Sequence, residues 1–154
     1  MIDTAGQIIF SRNWKLLAPV AIPLMFFLSS TAISHTPRFP EANVIRGYTA
    51  AGYPYLNGGI SFAEQHAIER AADPYNLKLI FANRAGTLVS PRFVMIGTNH
   101  SGHVEKVPLR APWFYIQLPP GGYTVLTRFK RQVVLLRDVN VGKGRRSTYV
   151  LRGD

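Results

Sequence analysis

The side chains able to do chemistry are few and widely spaced. His66 and Glu69 stand three apart in a stretch of helical character, and His100 and His103 bracket a turn, so each pair offers two metal ligands. Two fall short of the three or four that a stable site needs, and the expectation is helix-surface and turn residues with no metal. General acid–base chemistry needs two ionisable groups converging on one cleft. Beyond residue 34 the acids are Glu41, Glu64, Glu69, Asp73, Glu105, Asp138 and Asp154, of which Glu64 suits helix capping and Asp73 a turn. No Gly-x-Ser-x-Gly elbow supports a serine nucleophile. The chain contains no cysteine, which excludes thiol catalysis, cysteine-based zinc sites and iron–sulfur clusters. No catalytic, metal or cofactor-binding residue is therefore assigned, and the chain is expected not to be an enzyme.

Binding chemistry is better represented. Lys and Arg number 18 against 8 Asp and Glu, a formal net charge of +10. Much of the excess falls late, at Arg128, Lys130, Arg131, Arg137, Lys143, Arg145, Arg146 and Arg152. Such a field steers anionic partners. Lys143, Arg145 and Arg146, at the tip of a hairpin between the last two strands, are the candidate anion-binding group; the competing reading is a solvated surface. Among the aromatics, Tyr48, Tyr53 and Tyr55 lie in a loop-like stretch and are the candidate partner or ligand surface. Trp113, Phe114 and Tyr115 occupy consecutive strand positions, so at least one face of that trio belongs to a core.

The elements that must position these groups begin after a leader. Arg12 and Lys15 precede an apolar run, residues 16 to 28, which ends in small uncharged residues through Ser34. That is the layout of a secretory signal peptide with a cleavage site at Ala32-Ile33-Ser34 or Ser30-Thr31-Ala32. The alternative is an uncleaved membrane anchor over residues 16 to 34, near the ~20 residues that span a bilayer. Either implies export, with a bacterial periplasm the expected compartment. The partners expected there are an envelope protein and, as alternatives, an acidic glycan or anionic lipid. Nucleic acid is not expected, and membrane contact follows only if the leader is uncleaved.

Residues 35 to 60 are an extended segment punctuated by Pro37, Pro40, Gly47, Gly52, Pro54, Gly58 and Gly59, expected on the domain surface. Ser61-Phe62-Ala63-Glu64 is a capping box that opens one short helix over 61 to 72, closed by Asp73-Pro74, with Ala63, Ala67 and Ala71 as the stripe expected against a sheet. From residue 76 to 154 the period is two. Strands are predicted at 77–81, 93–98, 103–107, 113–118, 123–128, 133–141 and 148–151, which makes an all-β, seven-stranded antiparallel Greek-key sandwich with one accessory helix.

One run in this series is specific. Leu118-Pro119-Pro120-Gly121-Gly122-Tyr123 reads as a strand end, a turn and a strand start, with Pro119, Gly121, Gly122 and Tyr123 as its structural residues and a positive φ expected at one of the two glycines. This run, with Gly86-Thr87 after a first strand and Gly102 at a turn, resembles the carboxypeptidase regulatory-like domains of the transthyretin-like (prealbumin-like) and carbohydrate-binding-like sandwiches. Their pattern places L-P-x-G-x-Y before a central strand. The resemblance covers about residues 76 to 152 and implies a structural or interaction module without catalytic residues. Two shorter motifs, the sequon Asn99-His100-Ser101 and the terminal Arg152-Gly153-Asp154, are short enough to arise by chance.

Overall fold

In the computed structural model, which describes residues 43–99 and 102–154, the alternating segments become strands of two facing sheets. One sheet runs in the order β1 (Ile45–Tyr48), β2 (Pro54–Gly58), β6 (Trp113–Ile116), β3 (Leu77–Ala82), β9 (Ser147–Arg152). The other runs β5 (Val104–Pro108), β4 (Phe93–Thr98), β7 (Gly121–Arg128), β8 (Val133–Val141). The leader, and with it the signal-peptide and anchor readings, lies outside the described residues. No helix among the described residues is long and apolar enough to cross a membrane.

Alternation sends Leu77, Leu79 and Phe81 of β3, Phe114 and Ile116 of β6 and Leu151 of β9 inward. They meet Val94 and Ile96 of β4, Val107 of β5, Val125 of β7 and Val139 and Val141 of β8. Each such side chain contributes about 1.5–3 kcal/mol over leaving it exposed. The outer face of the five-stranded sheet is covered by α1 (Phe62–Ala71), which packs Ile68 with Ala72, Tyr75, Leu56 and Tyr115 into a second cluster. At the helix start the Glu64 N–H donates to Ser61 Oγ at 3.2 Å as the capping box requires. The Glu64 carboxylate departs from the box by accepting from the Ile60 N–H at 2.9 Å, one residue before the cap. The buried stripe is Glu64, Ile68 and Ala72, with Ala63, Ala67 and Ala71 only half-buried beside it. The larger Ile68 supplies the apolar area that an alanine row lacks.

Three further expectations are corrected. All seven predicted strands are present, but residues 45 to 58 add two more, so the sheets hold nine among the described residues. The Pro and Gly of that segment fall at ends and edges: Pro54 opens β2, and Gly52 and Gly59, both at positive φ, lie just outside it. Second, the sandwich is not wholly antiparallel, because β3 and β9 pair in parallel from Leu77 opposite Ser147 to Ala82 opposite Arg152. The intervening strands form the long crossover that a parallel pair requires.

Third, neither Gly121 nor Gly122 has a positive φ; both are in β7, opposite Val141 and Asn140. The run is a passage from one sheet to the other, bent by Pro119-Pro120 and held by the Tyr123 hydroxyl, which donates to Pro119 O at 2.7 Å. Among the described non-glycine residues a positive φ occurs at Asp138, at 59°. There β8 bulges, with Arg137 and Asp138 together facing Thr124 between the pairs Tyr123–Val139 and Val125–Leu136. The extra residue shifts the inward phase, so that Val134 and Leu136 before it and Val139 and Val141 after it all reach the core. Asp138→Val should lower stability by about 1–2 kcal/mol while Asp138→Gly stays within about 0.5 kcal/mol of the parent, measured by urea unfolding. Equal losses for both would show that the bulge does not depend on the left-handed conformation.

The 49–53, 72–76, 117–120 and 142–146 connections gather at one end of the sandwich, the first end. The 83–92, 109–112 and 129–132 connections and residues 152–154 gather at the second end.

Candidate functional site

The first end brings two of the sequence candidates together. Tyr53 and Lys143, on separate connections, border one groove of about 470 Å³ whose remaining lining includes Pro54, Leu118, Pro119 and Pro120. The floor is fixed by hydrogen bonds. Asn76 brackets Leu118, donating from Nδ2 to its carbonyl at 2.7 Å and accepting its N–H at Oδ1 at 3.0 Å. The Gln117 N–H donates to Pro54 O at 3.1 Å, and Tyr123 holds Pro119 from below. Burial, with a further push from Tyr53, raises the Tyr123 phenol above its ordinary value, so this hydroxyl remains a donor at neutral pH. An adjoining cleft of about 290 Å³, lined by residues 73 to 76, Gln117, Gly144, Arg145 and Arg146, continues the groove under the end of α1.

The anion-binding trio is not a unit. Arg146 is drawn away into the fold: Nε donates to Tyr75 O at 3.0 Å, Nη2 donates to Ala72 O, and the guanidinium lies 5.5 Å from the Tyr115 ring centre. It thereby closes the carbonyl end of α1, as a cation at a helix C-terminus can. Lys143 and Arg145 remain exposed beside the groove and the cleft. Arg128, Lys130 and Arg131 lie at the second end, so the late cations divide between two ends.

The three tyrosines divide as well. Tyr48 is exposed on β1, opposite Pro54. Tyr55, opposite Gly47, lies across that glycine, whose missing Cβ would sit 2.6 Å from the ring, and packs on Phe114 with ring centres 5.5 Å apart. Tyr53 is half-buried against the main core. No flat platform of parallel rings results. In the Trp113-Phe114-Tyr115 trio, Phe114 enters the main core and Tyr115 the helix-side cluster, with Trp113 packed beside it.

The metal-ligand pairs are engaged otherwise. His66 stacks edge-on against Phe62 with ring centres 4.3 Å apart, while Glu69 binds Lys78, Tyr115 and Arg146. His100 lies outside the described residues, and His103 pairs with Glu105. Among the described residues no group of three His, Asp or Glu comes together. Burial pushes the Glu105 carboxyl up, but hydrogen bonds from His103, Thr49 and the Ala51 N–H outweigh it, leaving the group below its ordinary value. It ties the β1–β2 turn to the opposite sheet. The spacing of Glu105 and Val107 on one strand face was the available signal for this buried charge. Nothing in the sequence marked Asn76 or Gln117, because their partners lie about forty residues or more away in the chain. The terminal Arg152-Gly153-Asp154 is built into the sheet, with the Gly153 N–H donating to Ala82 O and Asp154 paired with Arg84. Of the sequon, Asn99 accepts from the Thr124 hydroxyl at 2.9 Å, and its other two residues lie outside the described residues.

Family models, characterised proteins and solved structures were compared with this chain, and none matches it.

Proposed function

We propose that the chain is a non-catalytic interaction module of the cell envelope, exported by its leader, that holds an extended acidic segment of a partner protein in the first-end groove. The observation that carries this reading is the meeting of Tyr53 and Lys143 over a floor whose backbone is pinned by Asn76, Gln117 and Tyr123. Apolar walls from Pro54, Leu118, Pro119 and Pro120 suit an extended chain, and Lys143 with neighbouring Arg145 supplies the complementary charge. The resemblance to carboxypeptidase regulatory-like, transthyretin-like domains is supported by the place of the Leu118 to Tyr123 run, which leads into β7, an interior strand between β4 and β8. Export rests on the basic, apolar and small-residue order of residues 12 to 34.

A photo-crosslinking residue at position 53 of the tagged protein, expressed in its native envelope, should capture a discrete protein partner. Lys143→Glu/Arg145→Glu should lower that capture at least tenfold. A crosslinker at Val150, exposed on β9, should not capture the same partner. Equal capture at positions 53 and 150, or capture unaffected by the charge reversal, sinks the groove as the docking site. Capture of acidic glycan in place of protein would move the reading to carbohydrate binding.

A further inference from the structure

The second end of the sandwich concentrates charge. Arg84 and Arg92 come from the 83–92 connection, Arg110 from 109–112, Arg128, Lys130 and Arg131 from the close of β7 and the turn after it, and Arg152 from the end of β9. All seven are exposed. Backbone and side-chain bonds hold the contributing segments together: the Arg92 N–H donates to Arg128 O at 3.1 Å, the Leu109 N–H to Arg92 O at 3.1 Å, Ser90 Oγ to Arg110 O at 3.2 Å and the Gly153 N–H to Ala82 O at 3.0 Å. The cations are thus gathered by the fold, from segments far apart in sequence. Among the described residues one of the seven, Arg84, is in an ion pair, with Asp154 at 3.3 Å.

Large apolar side chains are exposed at the same end. Ile60 and Phe62, at the start of α1, are 67% and 75% exposed, while exposed Leu88 stands on the 83–92 connection and exposed Val133 opens β8 opposite Arg128. A soluble polyanion offers such side chains nothing apolar to enter, whereas the headgroup and acyl boundary of a bilayer takes up both kinds of group. The chain also enters the domain here, because β1 begins opposite the end of β2, with Ile45 facing Asn57. The uncharged stretch that ends at Ser34 precedes Asn43 by nine residues (43 − 34), a reach of at most about 30 Å.

From these observations we infer that the second end is a membrane-apposed face, binding the anionic headgroups of a lipid bilayer through its seven cations while Ile60, Phe62, Leu88 and Val133 enter the interface. This face is separate from the first-end groove, which it leaves pointing away from the bilayer and open to a partner.

The test uses the purified full chain and vesicles of phosphatidylcholine with and without phosphatidylglycerol. The apolar leader partitions into both, so the ratio of the two affinities isolates the charge-dependent part. Replacing Arg92, Arg110, Arg128 and Lys130 with Gln should lower the preference for the anionic vesicles on the order of a hundredfold at moderate salt. A charge-matched variant with Arg70, Arg137, Lys143 and Arg145 replaced by Gln, all exposed and outside this end, should keep most of it. Phe62→Ser/Leu88→Ser should weaken binding to anionic vesicles several-fold without altering its salt dependence. Equal loss in the two charge variants would reduce the effect to net charge and overturn the assignment. So would an unchanged affinity in Phe62→Ser/Leu88→Ser, or displacement from vesicles by dextran sulfate or duplex DNA at matched charge, which would make the face a site for soluble polyanions. None of these results bears on crosslinking at Tyr53, so the two readings fail separately.

Discussion

Asn57→Ala should lower the unfolding free energy by about 3 kcal/mol, a large loss for truncating one polar side chain. Asn57, on β2, is 1% exposed and uses its whole amide. Its Nδ2 donates to Ala111 O and Trp113 O, each at 2.9 Å, and its Oδ1 accepts the Arg110 N–H at 2.8 Å and the Ala111 N–H at 3.2 Å. The connection that leads from β5 into β6 therefore satisfies its backbone through a side chain from another strand. Truncation leaves those groups without their partner in a buried setting, at about 1–3 kcal/mol for each that water cannot reach. Exposed Arg110 lets water replace part of the set, which holds the total near the lower multiple. Asn57→Asp keeps the acceptors and removes the donors, setting a carboxylate against two carbonyl oxygens, and should cost at least as much as Ala at neutral pH. Urea unfolding of both variants measures this; a loss for Ala below about 0.5 kcal/mol would show that the 109–112 connection holds without the bracket.

Glu69→Ala should cost about 2 kcal/mol, and Glu69→Ala/Lys78→Met should recover at least half of it. Glu69 reaches from α1 to three elements: it accepts from Lys78 Nζ and from the Tyr115 hydroxyl at 2.8 Å, and its other oxygen lies 3.6 Å from Arg146 Nη1. Lys78 sits on interior strand β3 with a side chain only 11% exposed, its ammonium 3.9 Å from the Trp113 ring centre. Removing the carboxylate leaves that buried charge and the Tyr115 hydroxyl uncompensated. Because Glu69 itself is 42% exposed, solvent screens part of the pair, and the cost is set below that of a fully buried one. Met at position 78 removes the orphaned charge and fills the space beside Trp113.

The pH dependence follows from the sign of the shift. Burial pushes the Glu69 carboxyl up, but bonds from Lys78 and Tyr115 and the charges of Lys78 and Arg146 outweigh it, so the folded value lies below the ordinary 4.5. A carboxyl held low contributes its stability above the unfolded value and loses it as pH falls through the folded one. The gap between parent and Glu69→Ala is therefore full near neutral pH and closes in acid. Equal instability of the single and double variants would show that Lys78 is not the group stranded.

Short-range signals were enough for much of the fold. Ser61 and Glu64 placed the helix start to the residue, since capping depends on atoms three positions apart. The period of two from residue 77 onward located all seven later strands, since which face a side chain meets depends only on its neighbours. The Leu118 to Tyr123 run marked the entry to β7, although its glycines serve extended backbone and the left-handed residue is Asp138. At the candidate site, Tyr53 and Lys143 were both legible as an exposed-type aromatic and a tip cation.

What the amino-acid order by itself determined was therefore local: element type, the helix cap, the charge excess and the absence of thiol chemistry. The tertiary structure alone decided the pairings. Residues 45 to 58 became strands because the open edge of β6 accepts β2, and β3 lies parallel to β9 because a period of two is the same for either direction of pairing. Arg146 left its neighbours to close a helix ending at Ala72, seventy-four positions away, and the cations of four separate segments converged at the second end. Such convergence is set by where connections cross between sheets, and long-range pairing leaves no mark in the spacing of residues along the chain.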